Sequence, residues 1–407
     1  MDNRWKKDFF LIWQGSIVSC IGNVLYNFCI SYWVYKETGS TALMGILYSV
    51  TTFTSLIFSP FISVLIDRLE KKKILIYCDL IQGILILCLG FIAMFNKLNT
   101  IMIMIVGISA SICKTMFKPA IITLISFIVP PKKLVKIRSI HSGSNTLVGM
   151  FFEAVSGFII MRFGVPLVII ANGITFIFSA FSELFIKSTE NQKKIKEISI
   201  NLLLGDLKEN IKYIFYNKEI KTLFIICFFK NLCVSGLIPL KLAFCLNRNI
   251  DIVNYGFLTS FESFSSMIAL AIMGLLEITA KKQYQVFTYG FMLSYLVLAL
   301  GYLGNNFFFI CIMFGLAEFL NMCADLVYNA FFLLIIPENK RASISSFMIS
   351  ATMAGTTISS LVLGALSEYF DIGILGAIMC ILAILPFLLI LNNKKMGDVF
   401  MKLMKVD

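Results

Sequence analysis

Long apolar stretches separated by short polar segments run along the whole chain. Twelve of them are long enough to cross a membrane, because a helix needs about 20 apolar residues to span the hydrocarbon core. Open backbone groups find no hydrogen-bond partner in lipid, so each stretch is predicted to form a helix. The sequence therefore predicts an all-α membrane protein with twelve transmembrane helices, at 9–35, 42–66, 74–95, 100–128, 138–161, 165–186, 221–246, 253–277, 284–303, 306–335, 343–367 and 372–391.

The longest polar interval lies near the middle of the chain and divides it into two halves. Within this interval Leu203, Leu207 and Ile211 recur at helical spacing with lysines between them. Such a pattern is typical of an amphipathic helix on a membrane surface. The predicted organisation is a six-helix bundle over 1–186, a cytoplasmic linker with this helix over 187–220, and a second six-helix bundle over 221–407.

The two halves also repeat each other. Stretch 4 ends in SFIVPPKK and stretch 10 in LLIIPENK, which aligns Pro130 with Pro337 at an offset of 207 residues. Asp67 ends stretch 2 and Glu277 ends stretch 8, at an offset of 210, and lysines follow both. Two matches at nearly the same offset predict two pseudo-symmetric bundles, as in secondary transporters.

Positive charges mark one side of the predicted membrane. With the N-terminus in the cytoplasm, 27 of the 35 Lys and Arg residues fall in inner segments, and the outer loops hold only Lys36, Lys97, Arg162 and Arg248. The positive-inside rule therefore predicts that both termini are cytoplasmic, in a plasma membrane. The net charge of +12 suits contact with anionic membrane lipids. Because the basic residues form separate loop clusters, no nucleic-acid partner is expected.

Several kinds of chemistry are not expected from this sequence. It contains one histidine, His141, and eleven cysteines without a C-x-x-C pair, so neither a metal site nor a disulfide framework is predicted. It contains no phosphate-binding loop of the G-x-x-x-x-G-K-[ST] type and no nucleophile elbow. We therefore expect no cofactor and no enzymatic activity.

Charged residues inside the predicted helices are the strongest candidates for function. Each costs roughly 2.5–3.5 kcal/mol to insert unpaired, so they are expected to pair or to line a water-filled cavity. Eight of them lie well inside the helices, four positive and four negative: Lys114, Lys118, Glu153, Lys230, Lys241, Glu262, Glu318 and Asp325. Lys241 lies near an outer end, where it could also reach the lipid headgroups.

The segment ISVLIDRLEKKKILI resembles the loop 2–3 signature of the major facilitator superfamily, Gly-x-x-x-Asp-Arg-x-x-Arg-Lys. Asp67, Arg68 and Lys72 match it, Lys71 replaces the Arg, and Ser63 replaces the Gly. The surrounding segments LIWQGSIVSCIGNVLYN, SYWVYKETGS and FKPAIITLISFIVPPKKLV are similar to the branch that holds macrolide exporters and the enterobactin exporter.

This resemblance implies a twelve-helix transporter with a cytoplasmic latch and a central cavity. The latch would consist of Asp67, Arg68, Lys71 and Lys72. The cavity would be lined by stretches 1, 4, 7 and 10. Its substrate-contacting candidates are a polar stripe on stretch 1 together with the buried lysines: Asn23, Tyr26, Asn27, Lys114, Lys118 and Lys230.

The predicted function is proton-coupled export of amphipathic small molecules, which are macrolide-, siderophore- or peptide-like, by a monomer working through alternating access. The proton-coupling candidates are Glu318 and Asp325, followed by Glu153 and Glu262. The internal repeat makes Lys118 and Asp325 pseudo-symmetric partners, and an ion pair between them is expected in the outward-facing state. The main alternative is a solute importer of the same fold, a proton symporter. The third is a membrane receptor or assembly protein that does not transport.

Overall fold

The computed structural model describes residues 4–187, 212–276, 278–391 and 394–404, and all regular elements in these ranges are helices. Their bounds are α1 Arg4–Thr38, α2 Thr41–Arg68, α3 Lys71–Met94, α4 Thr100–Ile128, α5 Pro131–Leu184, α6 Lys218–Val234, α7 Lys241–Asn247, α8 Ile252–Leu275, α9 Ala280–Leu303, α10 Phe307–Ile335, α11 Glu338–Leu366, α12 Ile372–Leu391 and α13 Lys394–Met404.

Ten helices in these ranges are long and apolar enough to cross a membrane, and an eleventh, Ile372–Leu388, is apolar but shorter. One of the ten, Lys136–Leu184, covers 49 residues and is twice the usual length of a span. If this helix is counted as two crossings and the shorter helix as one, the described ranges contain the twelve crossings that were predicted.

The break in this long helix is at Gly164 in α5. Gly164 has φ 78° and ψ 164°, a conformation that disfavours residues with a side chain. Pro166 follows, and it has no N–H to continue the helical hydrogen bonds. Stretches 5 and 6 therefore meet without a loop, and we refer to 131–163 and 165–184 as the first and second halves of α5.

The predicted duplication is visible in the local backbone. Val129 follows α4 with φ −90° and ψ 132°, and Ile336 follows α10 with φ −90° and ψ 129°. The next residues, Pro130 and Pro337, have φ −55° in both halves and begin α5 and α11. The same extended residue and proline thus end one helix and start the next in each half.

The described residues pack as two compact units. Unit 1 holds 4–39 and 50–187, and unit 2 holds 40–49 and 212–404. The start of α2 belongs to unit 2 because Ser49 Oγ lies 2.7 Å from Ser360 Oγ, and Thr41 Oγ1 donates to the Gly364 carbonyl at 3.3 Å. The predicted domain boundaries remain a prediction, and most of the predicted linker helix, including Leu203, Leu207 and Ile211, lies outside the described residues.

Each unit has its own core. In unit 1, α1 and α3 pack on α5, and α4 packs on α3; in unit 2, α10 packs on α8 and α9, and α12 packs on α6 and α9. The short α13 also belongs to the core of unit 2, because Phe400 is fully buried. Its ring centroid lies 4.6 Å from that of Phe331 and 5.2 Å from that of Tyr284.

Candidate functional site

A cavity of about 220 Å³ lies among the helices of unit 2. Its walls come from α6 to α10, together with the 3-10 turn Ser235–Leu237. The charged and amide side chains that line it are Lys230, Asn231, Lys241, Glu262, Glu318 and Asn321. Four of the eight intramembrane charges predicted from the sequence therefore reach one cavity.

Stretch 7 was predicted as a single helix, and this was wrong. It is broken into α6, the 3-10 turn and α7. Gly236 lets the turn pack closely on α11, because a Cβ there would lie 2.4 Å from the Ser359 carbonyl oxygen. The Gly236 N–H donates to Ser359 Oγ at 2.9 Å, and Ser235 Oγ donates to Asn231 Oδ1 at 2.9 Å. The fixed turn places Lys230 before the break and Lys241 after it, with both side chains on the cavity.

Lys241 and Glu262 form the more buried of two ion pairs on the cavity. Lys241 Nζ lies 2.7 Å from both carboxylate oxygens of Glu262, and the side chains are 20% and 13% exposed. Asp251 fixes the start of α8, eleven residues before Glu262, by accepting a hydrogen bond from the Asn254 N–H at 2.7 Å. Lys241 therefore turns inward and pairs, rather than reaching outward to the headgroups.

Lys230 and Asp325 form the second pair. Lys230 Nζ lies 3.0 Å from Asp325 Oδ1, and Asn329 Nδ2 donates to Asp325 Oδ2 at 2.8 Å. The ammonium also lies 4.4 Å from the centre of the Phe291 ring, a distance typical of a cation–π contact. Both oxygens of Asp325 are thus bonded within unit 2, and the expected pairing of Asp325 with Lys118 stays a prediction.

Glu318 lines the same cavity as Lys230, Lys241 and Glu262. It is half-buried, and it interacts electrostatically with the members of both pairs. Among the described residues it makes no hydrogen bond and no ion pair. Glu318 is therefore the cavity carboxyl whose charge is not matched by a direct partner.

The remaining intramembrane charges lie in unit 1. Lys114 and Lys118 are exposed on α4, one turn apart, and interact with each other as like charges. Glu153 is half-buried on the first half of α5 and interacts with Cys20 on α1. Their roles in coupling and substrate binding remain predictions.

The polar stripe on α1 serves partly for helix packing. Ser16 Oγ lies 3.1 Å from His141 Nε2 on α5, and Tyr26 is buried in unit 1. Asn23 is half-buried, and Asn27 is exposed. The asparagines are therefore the members of the stripe that reach the surface of unit 1, and their contact with substrate remains a prediction.

The predicted latch can be described only in part. The side chains of Asp67 and Arg68 lie outside the part of the chain that the structure describes. Lys71 is buried, and Lys72 Nζ donates to the carbonyls of Leu184 and Ile186 at 2.8 and 2.6 Å. Lys72 therefore holds the end of the second half of α5, and the latch itself remains a prediction.

Sequence reasoning missed several polar residues of the cavity, among them Asn321 and Tyr295. Asn321 follows Glu318 by three residues and precedes Asp325 by four, so all three share one face of α10. This spacing was available in the sequence. Tyr295 on α9 has no such signal, because only the packing of unit 2 brings it to the cavity.

Among the described residues, no group of three or more His, Cys, Asp or Glu residues could hold a metal ion.

Comparison with known proteins identifies the family. The sequence model of the Major Facilitator Superfamily matches residues 12–324, which is most of the chain. The chain therefore belongs to this superfamily, and it is a multi-pass membrane protein. Among its relatives, macrolide efflux protein A of Streptococcus pyogenes is 32% identical over 134 residues. That match covers 33% of this chain and 33% of the relative, so the likeness extends over only a third of either protein.

Solved structures share the whole fold. The nucleoside transporter NupG superposes with a TM-score of 0.72 at 15% identity, with 100% of both chains covered. A bacterial homologue of the human lysosomal transporter Spinster superposes with a TM-score of 0.71 at 12% identity, over 99% of this chain and 98% of that one. At these identities the likeness shows the fold alone.

Proposed function

We propose that this chain is a proton-coupled exporter of amphipathic small molecules in the plasma membrane, with both termini in the cytoplasm, and that it works by alternating access. Three observations support this function. The chain belongs to a superfamily of transporters, its cavity contains a carboxyl without a direct partner, and a relative is a macrolide efflux protein. Glu318 carries the proton in this mechanism. The ion pairs Lys241–Glu262 and Lys230–Asp325 hold the surrounding charges in place.

The position of Glu318 is the observation that carries the proposal. Withdrawal from water favours the neutral form of a carboxyl, whereas a nearby ammonium favours the charged form. Glu318 experiences both influences, because it is half-buried and interacts with Lys241 and Lys230, each of which is already bound to another acid. A substrate that disturbs either pair changes the balance at Glu318, and this links substrate binding to the uptake or release of a proton.

Two further observations support the direction of transport and the class of substrate. The relative from Streptococcus pyogenes is a macrolide efflux protein, and it matches a third of this chain. The cavity combines aromatic walls at Tyr295, Tyr302 and Phe314 with amide and charged groups. Such a lining suits a molecule with an apolar body and polar substituents. Lys114 and Lys118 favour an anionic or oxygen-rich group on that molecule.

A transport assay on proteoliposomes tests the proposal. The full chain is reconstituted with an imposed pH difference, and uphill movement of a radiolabelled macrolide is followed together with the collapse of that difference. Glu318→Gln is expected to abolish uphill transport and to leave equilibrium binding of the macrolide measurable. Glu37→Gln, the same change at an exposed position at the end of α1, serves as the matched control and should transport normally.

Undiminished uphill transport by Glu318→Gln would remove this residue from the mechanism. Macrolide accumulation in the same direction as proton flow would show an importing symporter instead. A flux that does not depend on the pH difference would exclude proton coupling altogether.

A further inference from the structure

Two acidic side chains are buried together in unit 1, away from the cavity described above. Asp79 lies on α3 and Glu183 near the end of the second half of α5, and each side chain is 1% exposed. The two carboxyls are close enough to interact electrostatically. The proposed mechanism uses neither of them.

No basic side chain compensates this pair. The titratable groups that interact with the pair are Cys78 on α3 and Cys113 on α4. The charged groups next to it along the chain or through contacts at the end of α5 are Asp8 on α1, Lys71 and Lys72 on α3, and Lys187 after α5. The Lys72 ammonium is bound to the carbonyls of Leu184 and Ile186, and Asp8 Oδ1 accepts from the Lys187 N–H at 3.2 Å. Neither Asp79 nor Glu183 forms an ion pair with any described residue.

The polar atoms around the pair also lack partners. Asp79 Oδ2 and Glu183 Oε2 are buried without a hydrogen bond within the described chain. Ser179 lies one turn before Glu183 and interacts with Asp79, yet its buried hydroxyl makes no hydrogen bond of good geometry. A buried carboxylate oxygen without a partner is costly, and a buried hydroxyl beside it can accept as well as donate. The Ser179 hydroxyl can donate to only one of the two carboxylates at a time, so the other unpartnered oxygen still lacks a donor.

Close packing of two helices accompanies the burial of this pair. α3 and the second half of α5 approach closely along their length: a Cβ on Gly173 would lie 2.9 Å from the Leu87 nitrogen. A Cβ on Gly83 would lie 2.6 Å from Ile177 Cδ1. Two ionised carboxylates confined in such a place repel each other, and water cannot screen them.

We propose that Asp79 and Glu183 form a proton-binding site that holds at least one proton between them at neutral pH. A proton suits the site better than a metal ion, because only two carboxyls and one hydroxyl meet there, and Na⁺ or Ca²⁺ would need more oxygen ligands. The bound proton removes the repulsion and supplies the missing donor. It also ties the stability of unit 1 to pH, whether or not Glu318 couples transport to protons.

Infrared difference spectroscopy on the purified full-length protein in detergent tests this site directly. A protonated carboxyl band is expected at neutral pH in the wild type and should disappear as the pH rises. In Asp79→Asn and in Glu183→Gln, the remaining acid loses its like-charged neighbour and should release its proton at a lower pH. The double variant should lose the part of this band that Asp79 and Glu183 contribute. Glu37→Gln, the matched change at an exposed acid of unit 1, should behave as the wild type.

Thermal unfolding of the same samples supplies a second readout. The folded state holds a proton that the unfolded state has lost, so raising the pH should destabilise the wild type. Its equilibrium constant for unfolding should increase by up to about tenfold per pH unit. That slope should be smaller in both single variants, so the test survives if the double variant does not fold.

Three results would overturn the proposal. One is a wild type without a protonated carboxyl at neutral pH, and another is a band whose intensity is unchanged in the double variant. The third is stabilisation by NaCl but not by choline chloride, which would indicate a sodium site. All of these measurements are made without transport, so they remain decisive even if proton-coupled export is disproved.

Discussion

The two units treat their intramembrane charges in opposite ways. In unit 2, each lysine on the cavity is bound to an acid on another helix, as Lys241 is to Glu262 and Lys230 to Asp325. In unit 1, like charges are neighbours: Lys114 beside Lys118, and Asp79 beside Glu183. Opposite charges neutralise each other inside the fold, whereas like charges need a counter-ion or a proton from outside. Unit 2 thus compensates its two cavity lysines internally, whereas unit 1 places charges of the same sign side by side.

The largest expected effect comes from breaking the most buried compensated pair. Lys241→Met leaves Glu262 buried and unpaired, and Glu262→Gln leaves Lys241 in the same position. Each should lower the free energy of unfolding by about 3 kcal/mol, the lower end for buried pairs. Because each variant loses the same interaction, the double variant should lose much less than the sum. Denaturant unfolding in detergent, analysed as a double-mutant cycle, measures this coupling. Additive losses would show that the two side chains do not stabilise each other.

The second pair should matter less, because water reaches one of its members. The Asp325 side chain is 37% exposed, against 15% for Lys230. Breaking an ion pair lowers the free energy of unfolding little at the surface and more in the interior, and this pair lies between these two situations. Lys230→Met or Asp325→Asn should therefore lower the free energy of unfolding by about 1–2 kcal/mol. Asn329→Leu is the control, since it removes a hydrogen bond to Asp325 and keeps the ion pair. If the cycle for Lys230 and Asp325 gives a coupling as large as that for Lys241 and Glu262, burial does not explain the ranking.

A smaller effect is expected from giving unit 1 a compensated pair. Lys118→Glu turns the repulsion with Lys114, four residues earlier on α4, into an attraction. Neighbouring like and opposite charges on a helix differ by about 0.4–1 kcal/mol, so unit 1 should become more stable by that amount. Thermal unfolding at low and high salt measures it, and the gain should shrink as salt screens the charges. A variant whose stability is unchanged at low salt would show that Lys114 and Lys118 do not repel each other measurably.

The smallest effect concerns Glu368, an exposed acid of unit 2 whose carboxylate accepts hydrogen bonds from uncharged groups. The Glu368 carboxylate accepts hydrogen bonds from the Ser40 hydroxyl and, at 3.1 Å, from the Ala42 N–H, and these hold the pKa of Glu368 below its ordinary value. The contribution is therefore complete above the ordinary carboxyl pKa and is lost as the pH falls below it. Acidification from about pH 6 to about pH 4 should destabilise the wild type slightly more than Glu368→Gln. Equal pH profiles would contradict this assignment.

Much of the fold could be predicted from the sequence, because a helix that crosses lipid must be apolar over about 20 residues. The crossings, the family and the repeat around Pro130 and Pro337 were all predicted. The break in stretch 7 was not, because Gly236 and Ser235 lie within an apolar run and their contact with Ser359 on α11 arises only in the folded unit. The direct meeting of stretches 5 and 6 at Gly164 was hidden for a similar reason, since one glycine turns the chain where a loop was expected.

The candidate site was predicted as a set of residues but not as a set of pairs. Sequence reasoning found Lys230, Glu262, Glu318 and Asp325, because charges are rare in apolar segments. Which acid binds which lysine depends on helix rotation, which no linear spacing gives. Asp79 was overlooked because it lies close to the basic cluster at the start of α3 and therefore resembles a residue at the membrane boundary. Its burial against Glu183 required the structure.

The buried ring of Phe400 has a consequence for how this protein is made. α9 and α10 are synthesised before Phe400, since α10 ends at Ile335, 65 residues earlier. Until α13 arrives, the space beside Tyr284, Phe287 and Phe331 has no protein ring to fill it. The nascent chain thus passes through a stage in which its second bundle is inserted but incomplete. That interval is when a membrane-bound quality-control protease would find it most open to attack.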